Sequence, residues 1–367
     1  MSAEPQVHAR RRAEAWASMR EAQQDATAFL VTGPANVRYL SGFSGSNGIL
    51  LISDGGSILG TDGRYVIQAA HECPDLPLHV DRATLPALVE AWSAGAESGC
   101  LACEADHLTV SQFRQMAGIV PGGQDRLTTT SGIVEQRRMV KDDDEMRLLR
   151  DACRISDEAL ADTVAAVREG MTERQVAQLL EARMLERGAD AISFETIVGA
   201  GPNSAIPHHR PTDRPLQRGD LVVIDFGAEV GGYHADETRT FVVGPPAAWQ
   251  IDLHALVQAA QARGRDAARA GAELVHIDAA SRGVIEEAGH GEEFAHGLGH
   301  GVGLEIHEAP MIGPRSTGML AAGVPVTVEP GVYLPDRGGV RIEDTVFVSA
   351  GPCEPLTATD RGLVVLG

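Results

Sequence analysis

At 367 residues the chain exceeds one average domain, and 43% hydrophobic with 22% charged residues is ordinary for a folded chain, so two domains are expected. With 51 acidic against 31 basic residues the formal net charge is −20, which repels phosphate backbones and anionic headgroups and argues against nucleic acid or a membrane surface as partner. No run approaches the roughly 18 consecutive apolar residues of a membrane span, and the basic cluster before Arg12 has no apolar region behind it, so the cytoplasm is the expected location.

In chain order, the first third reads as alternating helix and strand: a helix around Ala13 to Asp25, then strands at Ala28–Val31, Gly48–Ile52 and Cys100–Cys103. Five cysteines are an odd, sparse set that argues against a disulfide framework. Cys100-Leu-Ala-Cys103 has no second pair to complete four zinc ligands and reads as a buried strand. Beyond Val120-Pro-Gly-Gly123 the composition turns helical and charged, which places a domain boundary near residue 137: an α/β domain over 1–137, a second domain over 138–367. Lys141, the only lysine, opens an acidic run that suits a helix N-terminus and leaves almost no room for Schiff-base chemistry. Thr172-Glu-Arg-Gln175 reads as a capping box opening a helix to about Arg187. Strands follow at Ile192–Val198, Leu221–Phe226, Tyr233–Val243, Val324–Val332 and Val340–Val348, with helices around Ala247–Ala270 and Ile277–Ala288. The second domain is therefore expected to be α+β, a curved, mostly antiparallel sheet with helices on its outer face.

The chain has no G-x-S-x-G elbow, no P-loop and no H-E-x-x-H, because His307-Glu-Ala-Pro-Met311 lacks the second histidine. The run Gly297-Leu-Gly-His-Gly-Val-Gly303 does not match G-x-G-x-x-G and reads as backbone packed close to a neighbour. His296, His300 and His307, in and around it, call for an explanation. So do four carboxylates in apolar strand candidates, Asp225, Asp236, Glu329 and Glu343, because an unpaired charge there costs several kcal/mol. Each alone is compatible with a structural salt bridge. Together they would repel one another without cations, and hard oxygen donors with an imidazole suit divalent manganese, cobalt or zinc in a dinuclear site.

The blocks Ile224-Asp-Phe-Gly227, Gly232-Tyr-His-Ala-Asp-Glu-Thr-Arg-Thr240, His296 to Glu308, Val328-Glu-Pro-Gly-Val-Tyr333 and Gly338-Gly-Val-Arg-Ile-Glu-Asp-Thr345 carry a resemblance. In order and spacing, the sequence resembles the metallopeptidase family containing aminopeptidase P, prolidase and methionine aminopeptidase, whose catalytic domain is the pita-bread fold. The resemblance implies five metal ligands, Asp225, Asp236, His300, Glu329 and Glu343, with Asp236 and Glu343 bridging two divalent ions, manganese before cobalt or zinc. It implies that His208, rather than the adjacent His209, contacts the substrate and the tetrahedral intermediate, that His307 lies near the scissile carbonyl, and that Glu329 shuttles a proton. His296, lining the pocket, and Arg341, steadying the carboxylates, complete the substrate-binding set.

Asn36-Val-Arg-Tyr-Leu-Ser-Gly-Phe43 and Thr61-Asp-Gly-Arg-Tyr65 resemble the α/β domain that precedes the catalytic domain in aminopeptidase P and prolidase and is lacking in methionine aminopeptidases. Creatinase shares the architecture but lacks the ligand set. The resemblance thus implies an Xaa-Pro peptidase in which a hydroxide held between the ions attacks the bond before proline, working as a homodimer on short proline-containing peptides. An aminopeptidase is the first expectation and a dipeptidase the alternative, because some related prolidases hold the substrate carboxylate with an arginine where this chain has Met311. A non-enzymatic metal-binding relative is opposed by the complete ligand set. A phosphoesterase would want free cations near the metals, of which Arg239 and Arg341 are the nearest in sequence.

Overall fold

Apolar runs punctuated by glycine and proline build the N-terminal strands around Ala26–Val31, whose residues are nearly all buried. The structure, a computed structural model, describes residues 5–96 and 98–367. It divides into two compact units, Met1–Arg138 and Met139–Gly367. In the first, β1 (Ala26–Val31), β2 (Ile49–Ser53), β3 (Gly56–Thr61), β4 (Leu78–Val80), β5 (Cys100–Glu104) and β6 (Leu127–Thr130) form one sheet in the order β4-β3-β2-β1-β5-β6. β1 runs antiparallel to β2 and parallel to β5. Of the helices α1 (Pro5–Ala22), α2 (Pro34–Ser41), α3 (Val66–Glu72), α4 (Thr84–Gly95) and α5 (Val110–Ile119), α4 and α5 bury Leu88, Val89 and Met116 against Leu30, Leu51 and Leu101. Cys103 is buried in the same core, as expected of a strand. α1 begins at Pro5 and ends at Ala22, earlier at both ends than composition suggests.

After the short α6 (Glu135–Met139), the acidic run caps α7 (Asp143–Ala166): Asp142 accepts from the Glu145 amide at 3.1 Å and Glu145 reaches back to the Asp142 amide at 3.0 Å. Thr172 and Gln175 form the same box at the start of α8 (Glu173–Glu186). The second unit continues with β7 (Ala191–Ile192), β8 (Ile197–Ala200), β9 (Leu221–Phe226), β10 (Ala228–Val230), β11 (Tyr233–His234) and β12 (Glu237–Val243), then α9 (Ala248–Ala267) and α10 (Leu274–Glu287). It closes with β13 (Gly299–Gly301), β14 (Glu308–Ile312), β15 (Val324–Val328), β16 (Gly331–Leu334), β17 (Gly338–Arg341), β18 (Asp344–Val348), β19 (Glu354–Pro355) and β20 (Val364–Leu366). One sheet runs β20-β12-β9-β8 and another β14-β13-β15-β18-β19. Only the β12–β20 pairing in them is parallel. A bridge between Thr238 and Glu343 joins the two, and this is the curved, helix-backed sheet of the pita-bread fold.

Each sheet carries its own helix pair. Leu160 of α7 and Val176 of α8 pack with Val222, Ile224 and Phe226, while Val257 of α9 and Ile277 of α10 pack with Val326, Val328 and Val346. Side chains alternate along a strand, so residues between these core positions point to the opposite face. That face receives Asp225 between Ile224 and Phe226, and Arg341 and Glu343 flanking Ile342.

Four expected strands are broken in the structure. Ile192–Val198 becomes β7 and β8, Tyr233–Val243 is interrupted at Ala235-Asp236, Val324–Val332 at Glu329-Pro330, and Val340–Val348 at Ile342-Glu343. Three of the breaks coincide with carboxylates singled out from the sequence. Pro330 has no N–H to give a ladder, and the Glu343 amide leaves its own strand to donate to the Thr238 carbonyl at 3.0 Å. Among the described residues no helix is long and apolar enough to cross a membrane.

Candidate active site

His300 is placed by β13, whose glycines let it in. A Cβ at Gly299 would stand 2.0 Å from the Thr327 carbonyl oxygen, and one at Gly301 2.2 Å from that of Ala309. The close backbone packing read from the glycine-rich run is therefore present on both sides of the histidine. The His300 Nδ1 faces the Gly301 carbonyl at 2.9 Å, leaving Nε2 as a bare acceptor 3.5 Å from both Asp236 Oδ2 and Glu329 Oε1. Burial lowers its pKa to about 4, so the ring is neutral.

The ligand atoms of Asp236, His300 and Glu343 lie within 4.8 Å of one another. Asp225 Oδ2 accepts from Arg341 Nη2 at 2.6 Å, while its buried Oδ1 has no hydrogen-bond partner. Glu343 Oε2 accepts from Thr238 Oγ1 at 2.6 Å. Burial, with Asp225 and Glu329 adding repulsion, pushes the Asp236 carboxyl well above the usual range, and burial with Asp236 does the same to Glu343. Burial, opposed by Arg341 and reinforced by Asp225, pushes Glu329 up to about 8. Crowded carboxylates, an orphaned buried oxygen and a bare imidazole nitrogen fit divalent cations, whose charge removes this repulsion. Asp225, Asp236, His300, Glu329 and Glu343 are the residues that would hold them.

These residues open into a cavity of about 620 Å³, also lined by His208, His296, His307, Met311 and Arg341. His307 stacks edge-on against His300, with ring centroids 4.4 Å apart, and burial followed by the charge of His208 lowers its pKa. His208 is exposed into the cavity, whereas the adjacent His209 is buried and bonded through Nε2 to Glu173 Oε2 at 2.9 Å. Arg341 is almost fully buried, and its guanidinium donates to Thr238 Oγ1, the Pro207 carbonyl, Tyr333 Oη and Asp225. It holds protein groups in place and leaves little for a substrate. His296 lines the cavity with Nε2 2.9 Å from Tyr333 Oη.

Arg239 does not line the cavity. It is buried against Glu237 at 2.9 Å and Asp344 at 2.8 Å and so offers no free cation to a phosphoryl group. Lys141 is likewise buried, with Nζ 2.7 Å from Glu308 Oε2.

Three contributors escape sequence reasoning. Tyr333 links His296 to Arg341, Thr327 Oγ1 accepts from the His300 amide at 3.1 Å, and Glu173 pins the loop bearing His208. A tyrosine and a threonine in apolar strands were the available signals, whereas Glu173 was concealed by its ordinary role in a helix start. A second cluster, Glu104, His107 and Glu135 in the first unit, is bridged by Asn36 Nδ2, which donates to Glu104 at 2.6 Å and Glu135 at 2.5 Å. A side-chain amide thus occupies the centre a cation would need.

Residues 147–350 match metallopeptidase family M24, and residues 11–140 match the creatinase/prolidase N-terminal domain. The chain is 35% identical to an Xaa-Pro dipeptidase of Pyrococcus furiosus over 336 residues, 91% of this chain and 94% of that protein. The solved Xaa-Pro dipeptidase of Bacillus anthracis superimposes with a TM-score of 0.90 at 35% identity, covering 97% of this chain and 100% of that one. The X-Pro aminopeptidase of Thermotoga maritima gives 0.87 at 37% identity, covering 95% of this chain and 100% of that one. With matches running through both units, this chain belongs to metallopeptidase family M24 and is a peptidase carrying a creatinase/prolidase-type N-terminal domain.

Proposed function

We propose that this chain is an Xaa-Pro dipeptidase that uses two divalent metal ions, manganese before cobalt or zinc. The observation that carries the reading is the convergence of Asp225, Asp236, His300, Glu329 and Glu343 in one cavity with His208 and His307. The dipeptidase names of the P. furiosus and B. anthracis relatives favour it over the aminopeptidase expected from the sequence. The aminopeptidase remains a second reading, favoured by Met311, about half exposed on the cavity wall in place of an arginine, and by the T. maritima relative.

The bond before proline is a tertiary amide without an N–H, so a site that grips the scissile N–H has nothing to hold. Bound divalent ions supply a nucleophile at neutral pH and polarise the scissile carbonyl. The protein does the rest. His208 and His307 face the cavity where the carbonyl oxygen gains charge, and each offers a ring N–H to it. Glu329, its side chain 19% exposed against 13% for Asp225 and 7% for Asp236, is the most open of these three and carries a proton to the leaving nitrogen. Arg341 keeps Asp225 in register with it.

Steady-state assays after manganese loading, with Xaa-Pro, Xaa-Pro-Yaa and Xaa-Ala peptides, test the reading. Xaa-Pro is expected to give the highest kcat/KM. A higher value for Xaa-Pro-Yaa converts the assignment to aminopeptidase, and equal turnover of Xaa-Ala removes the proline preference.

A further inference from the structure

A dipeptide presents its C-terminal carboxylate inside a cavity already lined by Asp225, Asp236, Glu329 and Glu343, so a cation must meet it there. Met311 provides none. Among the described residues lining the cavity, two are arginines, Arg210 and Arg341. Arg341 is committed on every guanidinium nitrogen to Thr238, Pro207, Tyr333 and Asp225.

Arg210 is different. Its side chain is 84% exposed, and its Nη2 lies 3.1 Å from Oε2 of Glu195, itself 72% exposed. An exposed pair of this kind is weak and exchanges readily for another carboxylate. The backbone beneath it is held. His209 on one side is bonded to Glu173, and Thr212 on the other donates to the same carboxylate through its amide at 3.0 Å and its hydroxyl at 2.6 Å. Glu173 is fully buried and also accepts from the Ala200 amide at 2.8 Å and Asn203 Nδ2 at 2.9 Å. The loop is therefore anchored at two points, with the Arg210 side chain left free to swing, and His208 lies two residues before it.

We propose that Arg210 is a specificity-determining residue that binds the substrate's C-terminal carboxylate, exchanging Glu195 for it when the dipeptide enters. This rests on the dipeptidase reading and deepens it: the carboxylate anchor absent at Met311 is supplied from the loop that carries His208. Glu195 then acts as a competitor that keeps non-acidic chain ends from gaining the same contact.

The test compares Xaa-Pro with its neutral amide, Xaa-Pro-NH2, on manganese-loaded wild type, Arg210→Ala, Arg210→Lys and Glu195→Gln. Arg210→Ala is expected to raise KM for the acid about tenfold or more, with kcat little changed and the amide unaffected. Arg210→Lys should fall between, and Glu195→Gln should lower KM for the acid. Equal effects of Arg210→Ala on acid and amide, or none on either, overturn the proposal. If wild type hydrolyses only longer Xaa-Pro-Yaa peptides, the dipeptidase reading fails, and Arg210 is then judged by inhibition of that reaction. Xaa-Pro should inhibit better than Xaa-Pro-NH2 in wild type and lose the advantage in Arg210→Ala, whereas an acid-to-amide ratio unchanged by the substitution overturns the role of Arg210 as well.

Discussion

His300 and His307 touch, yet their surroundings give them different work. His300 is pinned through Nδ1 by Gly301 and turns Nε2 toward Asp236 and Glu329, while His307 stands at the open side of the ring pair. His300→Ala is expected to lose metal on elemental analysis. His307→Ala should keep both ions and lose kcat by about 10²- to 10³-fold, the usual effect of removing one oxyanion donor. Equal metal loss in the two variants contradicts the division. Glu173 makes a residue-scale prediction of another kind, because hydrogen bonds from Thr212, His209, Ala200 and Asn203 outweigh its burial and hold its carboxyl below the usual range. Glu173→Ala strands several buried donors and should cost about 3 kcal/mol or more in urea unfolding, with Glu173→Gln less damaging.

At the scale of elements, β13 tolerates no side chain beside His300. Gly299→Ala drives a Cβ into the Thr327 carbonyl, so β13 must separate from β15, with an expected loss of about 1–3 kcal/mol and of metal affinity together. Thermal unfolding with and without manganese separates the two effects. In α9, burial, only partly offset by Asp360, lowers the His254 pKa from 6.5 to about 4. The unfolded chain takes up that proton at higher pH than the folded one. The stability His254 contributes is therefore complete above about pH 6.5 and is lost as pH falls toward 4, by about 3 kcal/mol. Urea midpoints from pH 7 to 4.5 should fall more steeply for wild type than for His254→Leu, and parallel slopes would exclude the effect. Elements were legible where one chain segment decides them: the capping box at Thr172, the helix start at the acidic run, β9 and the bodies of α9 and α10 follow from local pattern. The strand breaks at Asp236, Glu329 and Glu343 were not, since an apolar run with one acidic residue reads as continuous until another sheet claims that residue's backbone.

For the whole molecule, the proposed metal centre would couple the two sheets of the second unit. Asp225 comes from β9, Asp236 precedes β12, and Glu329 and Glu343 flank β15 and β18, so ions bound there join what the Thr238–Glu343 bridge begins. A chelator is expected to abolish activity and lower the melting temperature, and manganese at 100 times its Kd to restore about 2.7 kcal/mol for each ion bound. Full activity in protein free of metal by elemental analysis would remove the assignment.

The amino-acid order alone established the chemistry on offer: which carboxylates and histidines stand in apolar surroundings, at what spacing, and in which family's order. These are properties of one chain read locally, and alternation and capping suffice to express them. Tertiary structure decided which groups remain free to act. His208 opens to the cavity while neighbouring His209 is buried on Glu173, and Arg341 is consumed by Asp225, Thr238 and Tyr333 while Arg210 is spared. Those distinctions depend on partners up to 134 positions away in sequence, as Pro207 is from Arg341, and a hydrogen-bonding group is available or spent only once such partners have been brought to it.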